Sequence, residues 1–361
     1  MKAQQLADQL NTRRETKGTA SMRQIHKLVV IALLTLLSAC QISGHVAKDG
    51  KGIANQRVIL EGKDQTVSAF TDQNGNYRFN RIGAGFYHVR LDGQGSLSQR
   101  VSKSTSLTSI SDINFDIQSQ TARQTAQGTV VGSIEPNGTY VWKGIPFAEA
   151  PIGKLRWQHV SAPKPWEGDY LALAPSAPCA QIAHLQIDVP VSEIGKPFGS
   201  EDCLYMNIWS PSPQITPDAA QPVMLWIHGG GDTAGEAALF DGKYLAEKYK
   251  VVVITVNYRL GVFGWLSHSA LQRGNTELAK SPNYGTTDLI QALKWVQQNV
   301  ENFGGDKNRV TIFGESAGAF NIGSLLISPK ASGLFHRAVM QSGGFPVHSQ
   351  QESENDVDSG G

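Results

Sequence analysis

A length of 361 residues, with 40% hydrophobic and 17% charged residues, is typical of a globular protein large enough for more than one domain. The formal net charge of +1 gives no electrostatic basis for a nucleic-acid partner, and no run of Lys and Arg indicates a site for a polyanion. Function therefore has to be sought in local motifs.

The amino terminus has the pattern of a targeting signal. Arg23 and Lys27 precede an apolar run over residues 28–37, and the segment closes on Cys40. A transmembrane helix needs about 20 apolar residues, so this run instead suits the apolar core of a signal peptide. The pattern resembles a bacterial lipoprotein signal, which implies removal of residues 1–39, a lipid anchor on Cys40 and a place in the cell envelope, at the outer membrane or cell surface. A secretory signal with an incidental cysteine is the alternative.

Export also bears on the other two cysteines, Cys179 and Cys203. In an oxidising compartment a disulfide between them would persist. Two buried free thiols are the alternative.

Residues 40–118 show the alternating apolar pattern of β-strands, and Asn74-Gly75 is a turn signal between two such runs. The segment resembles the carboxypeptidase regulatory-like β-sandwich family in its Thr71–Tyr77 and Gly85–Tyr87 motifs. This resemblance implies a small all-β domain, which we expect to act as a spacer. Binding of a glycan or a protein is the alternative function.

Two segments near the end of this block are expected to be irregular. The stretch from Gln99 to Ser111 is rich in Ser and Thr and is expected to form a loop, and residues 119–127 are expected to form a linker.

From residue 128 onward, apolar strand patterns alternate with helical ones, which predicts an α/β fold: a mostly parallel sheet with helices on both faces. Continuous apolar runs predict buried strands at residues 223–227, 251–256 and 310–313. The apolar spacing over residues 285–301 predicts an amphipathic helix. We expect Trp295 on this helix to pack in the core.

The segment Gly314-Glu315-Ser316-Ala317-Gly318 matches the nucleophile-elbow pattern Gly-x-Ser-x-Gly. It follows a β-branched strand and precedes a helical pattern, which is the strand-turn-helix setting that this motif requires. The glycines allow the sharp turn, which would expose the Ser316 hydroxyl at the carboxyl edge of the sheet.

A second motif, His228-Gly229-Gly230-Gly231, follows the strand that ends at Ile227. A glycine-rich loop in this position can present bare backbone N–H groups to a developing oxyanion. We expect His228 to steady the loop and not to act as the general base. A flexible glycine turn is the alternative reading.

These motifs together make residues 128–345 resemble the amino-terminal half of the type B carboxylesterases. The segments 303–318 and 201–209 are similar to the two sequence signatures of that family. The resemblance implies an α/β-hydrolase fold and hydrolysis of small carboxylic esters without a metal or cofactor. It also implies that Ser316 is the nucleophile, and that Cys179 pairs with Cys203. The oxyanion donors implied by the resemblance are Gly230, Gly231 and Ala317.

The sequence departs from the family pattern in two respects. Asp232 stands where the family usually has an aromatic residue, so the polarity of the acyl pocket is expected to differ. The fold also places the catalytic acid and histidine after the serine, yet no acidic residue lies between Ser316 and Gln351, which leaves His336 and His348 without a preceding acid. Residues 346–361 are expected to be a disordered tail.

We therefore expect an α/β-hydrolase domain that is incomplete in these 361 residues, and a chain that is inactive on its own. The alternative is a surface lipoprotein that uses the esterase fold for interaction without catalysis. Oligomeric state and acyl or alcohol preference are left open by the sequence.

Overall fold

The computed structural model describes residues 41–63, 65–92, 98–103, 109–184, 189, 191–211, 220–268, 271 and 281–345. The predicted signal segment with Cys40, and the predicted tail with His348, lie outside these ranges and stay predictions. Among the helices of the described ranges, none is both long and apolar enough to cross a bilayer.

The amino-terminal part of the chain folds as two β-sheets around one apolar core. Its strands are β1 (Gln41–Lys48), β2 (Lys51–Gly52), β3 (Arg57–Gly62), β4 (Thr66–Phe70), β5 (Asn76–Asn80), β6 (Gly85–Leu91), β7 (Ser98–Lys103) and β8 (Phe115–Ile117). One sheet has the order β2-β1-β5 with β8 parallel to β1, and the other has the order β4-β3-β6-β7. Alternate side chains such as Val46, Leu60 and Val89 point inward and are fully buried, because successive residues of a strand face opposite sides.

One segment of this domain differs from expectation. Residues 99–103 belong to strand β7, whereas the Ser- and Thr-rich composition predicts a loop there. The backbone of β7 pairs with β6 from Gly85 to Arg90, and Val101 is buried in the core. Pairing with a neighbouring strand and burial of one apolar side chain outweigh the weak local β preference of the polar residues.

Residues 119–127, expected to form a linker, instead pack into the second domain. They contain a 3-10 turn, Ser119–Thr121, and strand β9 (Arg123–Gln124). The Thr121 hydroxyl accepts a hydrogen bond from the Gly132 N–H, and the Thr121 carbonyl accepts one from the indole of Trp142. These bonds satisfy polar groups that are buried, which a free linker would leave in water.

The second domain is built on a seven-stranded sheet. The strands of this domain, seven of which form the large sheet, are β10 (Thr129–Val131), β11 (Ser133–Ile134), β12 (Tyr140–Pro146), β13 (Asp169–Leu171), β14 (Gln181–Ile182), β15 (Pro197–Phe198), β16 (Tyr205–Ser210), β17 (Gln221–Ile227), β18 (Val252–Val256), β19 (Gly305–Glu315) and β20 (Arg337–Gln341). The order in the large sheet is β11-β12-β16-β18-β17-β19-β20.

This sheet is mixed, whereas the sequence predicts a mostly parallel one. Strands β11, β12, β16 and β18 pair antiparallel, and β18, β17, β19 and β20 pair parallel. The three buried runs that the sequence pattern identifies all lie in the parallel part. The antiparallel strands at the other edge carry apolar residues without an equally long uninterrupted run, so their direction follows from the chain path and not from local pattern.

Helices lie on both faces of the sheet, as predicted. They are α1 (Lys243–Tyr249), α2 (Gly261–Trp265), α3 (Tyr284–Asn299) and α4 (Ala317–Ile327). On one face Leu225 and Ile312 of the sheet share a core with Leu293 of α3 and Ile322 of α4. On the other face α1 packs against β16 and β18. Trp295 of α3 is fully buried, in agreement with its predicted core position.

A buried ion pair connects the end of β18 to helix α3. The Arg259 guanidinium donates to both carboxylate oxygens of Asp288, at 2.8 and 2.7 Å, and its backbone N–H donates to the same carboxylate. The side chains are only 3% and 0% exposed, so neither charge can be solvated by water if its partner is lost. A two-bond pair of this kind fixes geometry as well as charge.

Replacing Asp288 with Ala should lower the free energy of unfolding by about 3–5 kcal/mol, because the guanidinium of Arg259 would stay buried without a counter-charge. Urea unfolding followed by circular dichroism measures this. The control is Glu301→Ala, which removes a carboxylate that is 57% exposed and paired with Lys307, and which should cost less than about 1 kcal/mol. Equal losses in the two variants would contradict the assigned role of the buried pair.

Candidate active site

The predicted elbow lies at the carboxyl end of β19. Strand β19 ends at Glu315, helix α4 begins at Ala317, and Ser316 between them has φ 53° and ψ −124°. This left-handed φ is costly for a residue with a Cβ, on the order of 1–3 kcal/mol, and such strain persists only where surrounding contacts hold it. One such contact is the Ser316 N–H, which donates to the Gln341 carbonyl at 2.9 Å.

The elbow glycines are required because two backbones approach closely there. A Cβ on Gly318 would lie 2.1 Å from the carbonyl oxygen of Ile227, and a Cβ on Gly314 would lie 2.7 Å from the same atom. Ile227 ends the neighbouring strand β17. Side chains at these two positions would therefore push the elbow away from β17.

The second predicted motif, which we call the glycine loop (residues 228–231), lies directly against the elbow. A Cβ on Gly229 would lie 3.2 Å from the Cβ of Ser316. Gly230 and Gly231 have φ of 109° and 63°, and a Cβ on Gly230 would lie 2.1 Å from the Ala234 carbonyl oxygen. The turn is closed by the N–H groups of Thr233 and Ala234, which both donate to the Gly230 carbonyl.

Three backbone N–H groups around Ser316 are left without acceptors. Within the described ranges, no hydrogen bond is donated by the N–H of Gly230, Gly231 or Ala317, and the Ser316 hydroxyl has no partner. Ala317 is the first residue of α4, whose amino-terminal N–H groups favour a negative charge. A hydroxyl flanked by unpaired donors is the arrangement that stabilises a tetrahedral oxyanion.

His228 is a buried support of the glycine loop. Its ring is 1% exposed, Nδ1 lies 2.8 Å from the Gly229 carbonyl oxygen, and the ring stacks on Tyr258 with centroids 4.4 Å apart. Burial lowers the pKa of His228 to about 4, so the ring is neutral near pH 7. The Tyr258 hydroxyl donates to the His228 carbonyl at 2.6 Å. These contacts are those of a residue that steadies the loop.

The side chain of Gln181, a residue outside the sequence motifs, supports the turn that follows the glycine loop. Gln181 accepts a hydrogen bond from the Gly235 N–H, and its amide donates to the carbonyls of Gly235 and Cys179. Cys179 is bonded to Cys203 in a disulfide, as the resemblance implies. The disulfide therefore lies two residues from Gln181, the side chain that supports the turn after the glycine loop.

Asp232 directly follows the glycine loop and has φ 57°. Its carboxylate accepts a hydrogen bond of 2.7 Å from the Asn321 side chain of α4, and its carbonyl accepts one from the Gly261 N–H. Burial raises the pKa of Asp232 to about 6, and hydrogen bonds from Asn321 and Tyr258 partly oppose the rise. The position that is usually aromatic in the resembled family thus holds a half-buried acid bonded to the helix of Ser316.

No histidine of the described ranges is placed as a base for Ser316. His336 precedes β20, and its backbone N–H and its Nδ1 bond to the backbone of Val310 at the start of the apolar part of β19. This is the end of β19 opposite to Ser316. Among the described residues, no group of three or more His, Cys, Asp or Glu side chains is arranged to hold a metal ion.

Comparison with known proteins identifies the second domain. The sequence model of the Carboxylesterase family matches residues 119–358. The chain is 42% identical over 231 residues to the para-nitrobenzyl esterase of Bacillus subtilis (strain 168), a match that covers 63% of this chain and 45% of that protein. It is 44% identical over 239 residues to the fumonisin B1 esterase of Sphingopyxis macrogoltabida, which covers 64% of this chain and 42% of that protein.

Solved structures give the same result. A thermophilic pNB esterase superimposes with a TM-score of 0.58 and 39% identity, over 65% of this chain and 47% of that one. A carboxylesterase of Geobacillus stearothermophilus superimposes with a TM-score of 0.52 and 39% identity, over 61% and 43% of the two chains. The chain spans less than half the length of these relatives.

The raised pKa of Asp232 predicts how stability depends on pH. The folded protein holds the proton of this acid up to about pH 6, whereas the unfolded chain releases it near 3.8. Stability should therefore fall as pH rises from about 4 to 7, by up to roughly 3 kcal/mol from this group. Asn at position 232 has no such proton, so Asp232→Asn should be more stable than the parent at pH 7.5 and equal to it near pH 4.

Urea unfolding of both proteins at several pH values measures this difference, in which the titration of all other groups cancels. Asp241→Asn is the control. Burial raises the pKa of Asp241, but hydrogen bonds and charge from Lys243 together outweigh it and lower the pKa, which gives a pH dependence of opposite sign. A stability difference between Asp232→Asn and the parent that does not change with pH would contradict the burial of this carboxyl.

Proposed function

The chain belongs to the carboxylesterase family, and from this premise we propose that it carries the nucleophile and oxyanion hole of a carboxylic ester hydrolase. The observation that carries this proposal is the position of Ser316 beside the unpaired N–H groups of Gly230, Gly231 and Ala317. A strained serine and bare donors are unfavourable for stability, so their presence together favours a chemical role.

In the proposed reaction, Ser316 Oγ attacks the carbonyl carbon of the ester while a base takes the hydroxyl proton. The carbonyl oxygen becomes an oxyanion held by the three N–H groups, each of which is worth about 3 kcal/mol in related sites. The intermediate collapses to an acyl-enzyme, and the alcohol leaves with the proton. Water then attacks the acyl group in the same way and releases the carboxylic acid and free Ser316.

The base and its acid partner are proposed to come from outside residues 1–361. Three observations support this. The described residues place no acid and histidine pair at Ser316, and the relatives are more than twice as long as the matched segment. Several apolar side chains on α4, β20 and the segment after β20 are also exposed, as expected of a sheet edge that further elements of the fold cover: Leu326, Ile327, Val339 and Phe345.

A non-catalytic role is the second candidate. The observation that favours it is that, within the described ranges, nothing activates the Ser316 hydroxyl. The chain would then be a surface lipoprotein that uses an esterase fold to bind a partner. The unpaired oxyanion donors have no use in that role, and for this reason we place it second.

The polypeptide of residues 1–361 should hydrolyse para-nitrophenyl acetate no faster than its Ser316→Ala variant, because loss of a triad member costs on the order of a millionfold in turnover. A chimera tests whether the site is competent: residues 119–345 joined to the part of the Bacillus subtilis para-nitrobenzyl esterase that follows its matched segment. This chimera should hydrolyse the ester, and Ser316→Ala should abolish its activity.

A folded chimera without hydrolysis that depends on Ser316 would overturn the esterase proposal in favour of the non-catalytic role. Release of nitrophenol by residues 1–361 that is lost on Ser316→Ala would instead overturn the proposal that the base lies elsewhere. Acylation of Ser316, followed by mass spectrometry of the intact chimera, distinguishes a slow second step from an inert serine.

We also propose that the protein is anchored in the bacterial cell envelope through a lipid on Cys40, with the amino-terminal β-domain as a spacer related to the carboxypeptidase regulatory-like family. The signal pattern over residues 23–40 supports this. Expression with radiolabelled palmitate should label the parent and not Cys40→Ala, while Cys203→Ala stays labelled. An unlabelled parent would contradict the anchor.

A further inference from the structure

Asp232 belongs to neither of the two motifs that define the proposed site. Its side chain accepts a hydrogen bond from Asn321 of α4, and so connects the end of the glycine loop with the helix that begins at the elbow. Three successive residues, Gly230, Gly231 and Asp232, have positive φ of 109°, 63° and 57°. The two glycines adopt this conformation without penalty, whereas a residue with a Cβ does so at a cost. The chain therefore leaves the glycine loop through a strained residue, and its contacts have to hold it there.

The amide of Asn321 reaches both parts of the site. Its Nδ2 donates to the Asp232 carboxylate at 2.7 Å and to the Ala317 carbonyl at 3.2 Å. Asn321 is 3% exposed and lies on α4 one turn after Ala317. One buried NH₂ group thus joins the residue after the glycine loop to the residue after the nucleophile.

The same carboxyl group is surrounded by the supports of the loop. The Tyr258 hydroxyl interacts with the Asp232 carboxyl and donates to the His228 carbonyl at 2.6 Å. The Gly261 N–H donates to the Asp232 carbonyl at 2.6 Å. Asp232 is therefore held by hydrogen bonds from Asn321 of α4 and from the backbone N–H of Gly261, the first residue of α2. An apolar side chain could accept none of the side-chain hydrogen bonds.

We propose that Asp232 is a positioning residue that, through Asn321, fixes the glycine loop against the first turn of α4 and so aligns the N–H groups of Gly230 and Gly231 with Ser316. The proposal rests on the proposed function for its catalytic meaning. The alignment itself is a property of the folded chain and can be measured without turnover.

Amide hydrogen exchange of residues 228–235 in the 361-residue chain tests it. Asp232→Gly removes the carboxyl while it relieves the positive φ, and Asn321→Leu keeps the side-chain size while it removes the donor. Each should speed exchange of the Thr233 and Ala234 amides, which donate to the Gly230 carbonyl, about tenfold. The double variant should be no faster than either single one, because both remove the same bond. Asp232→Asn keeps an oxygen acceptor and should exchange like the parent.

Two controls localise the effect. Ser324→Ala removes a polar side chain one turn further along α4, whose hydroxyl donates to the Phe320 carbonyl, and it should leave the loop unchanged. Amides of α3, residues 284–299, should exchange at the parent rate in every variant. If Asn321→Leu does not fold, as reported by these amides, Asp232→Gly and Asp232→Asn decide the question alone.

Exchange of the Thr233 and Ala234 amides at the parent rate in Asp232→Gly would overturn the proposal, since the bond to Asn321 would then not restrain the loop. A double variant about a hundredfold faster than the parent would overturn it too, because the two residues would act independently. In the chimera, Asp232→Gly should lower kcat with little change in KM, and Asp232→Asn should have the kcat of the parent chimera. This result would link the alignment of the loop to the reaction. If the parent chimera is inactive while the 361-residue chain and its variants show the expected exchange rates, the proposed function is refuted and the positioning role stands.

Discussion

The close contact between the elbow and the end of β17 is the constraint on which the rest of the site depends. Gly314 lies opposite Ile227 in the parallel register of β17 and β19, and Gly318 faces the same carbonyl from the first turn of α4. The glycine loop begins at the next residue after Ile227. A single approach of two backbones therefore places Ser316 near the N–H donors of Gly230 and Gly231, although these lie more than 80 residues away in the chain.

Polar side chains, and not apolar packing, hold the loop at that contact. His228, Asn321 and Gln181 are buried, and each makes hydrogen bonds that water would otherwise provide. In a low-dielectric interior such bonds are directional, and their loss costs about 1–3 kcal/mol for each unsatisfied group. Apolar contacts between the sheet and its helices stabilise the domain, but they tolerate small shifts that an oxyanion hole does not.

Much of the second domain could be predicted from its sequence because strong local signals coincide with tertiary structure there. The buried runs that lie in β17, β18 and β19 contain no charged residue, and the spacing over residues 285–301 predicted α3 within two residues at each end. The prediction was wrong where local signal is weak. Strand β7 is polar, the segment of residues 119–127 has no apolar pattern, and the antiparallel part of the sheet lacks a long apolar run.

For the site, the sequence by itself determined which residues can do chemistry. The Gly-x-Ser-x-Gly pattern after a strand, and three glycines after another, are local conditions, because a strained turn and bare N–H groups depend mainly on the absence of side chains. Only the tertiary structure decided that these two motifs meet. The contacts of Asn321 and Gln181 were likewise invisible in the sequence, since an amide side chain gives no local pattern and its partners lie 89 and 54 residues away. Long-range hydrogen bonds of this kind are set by the path of the whole chain.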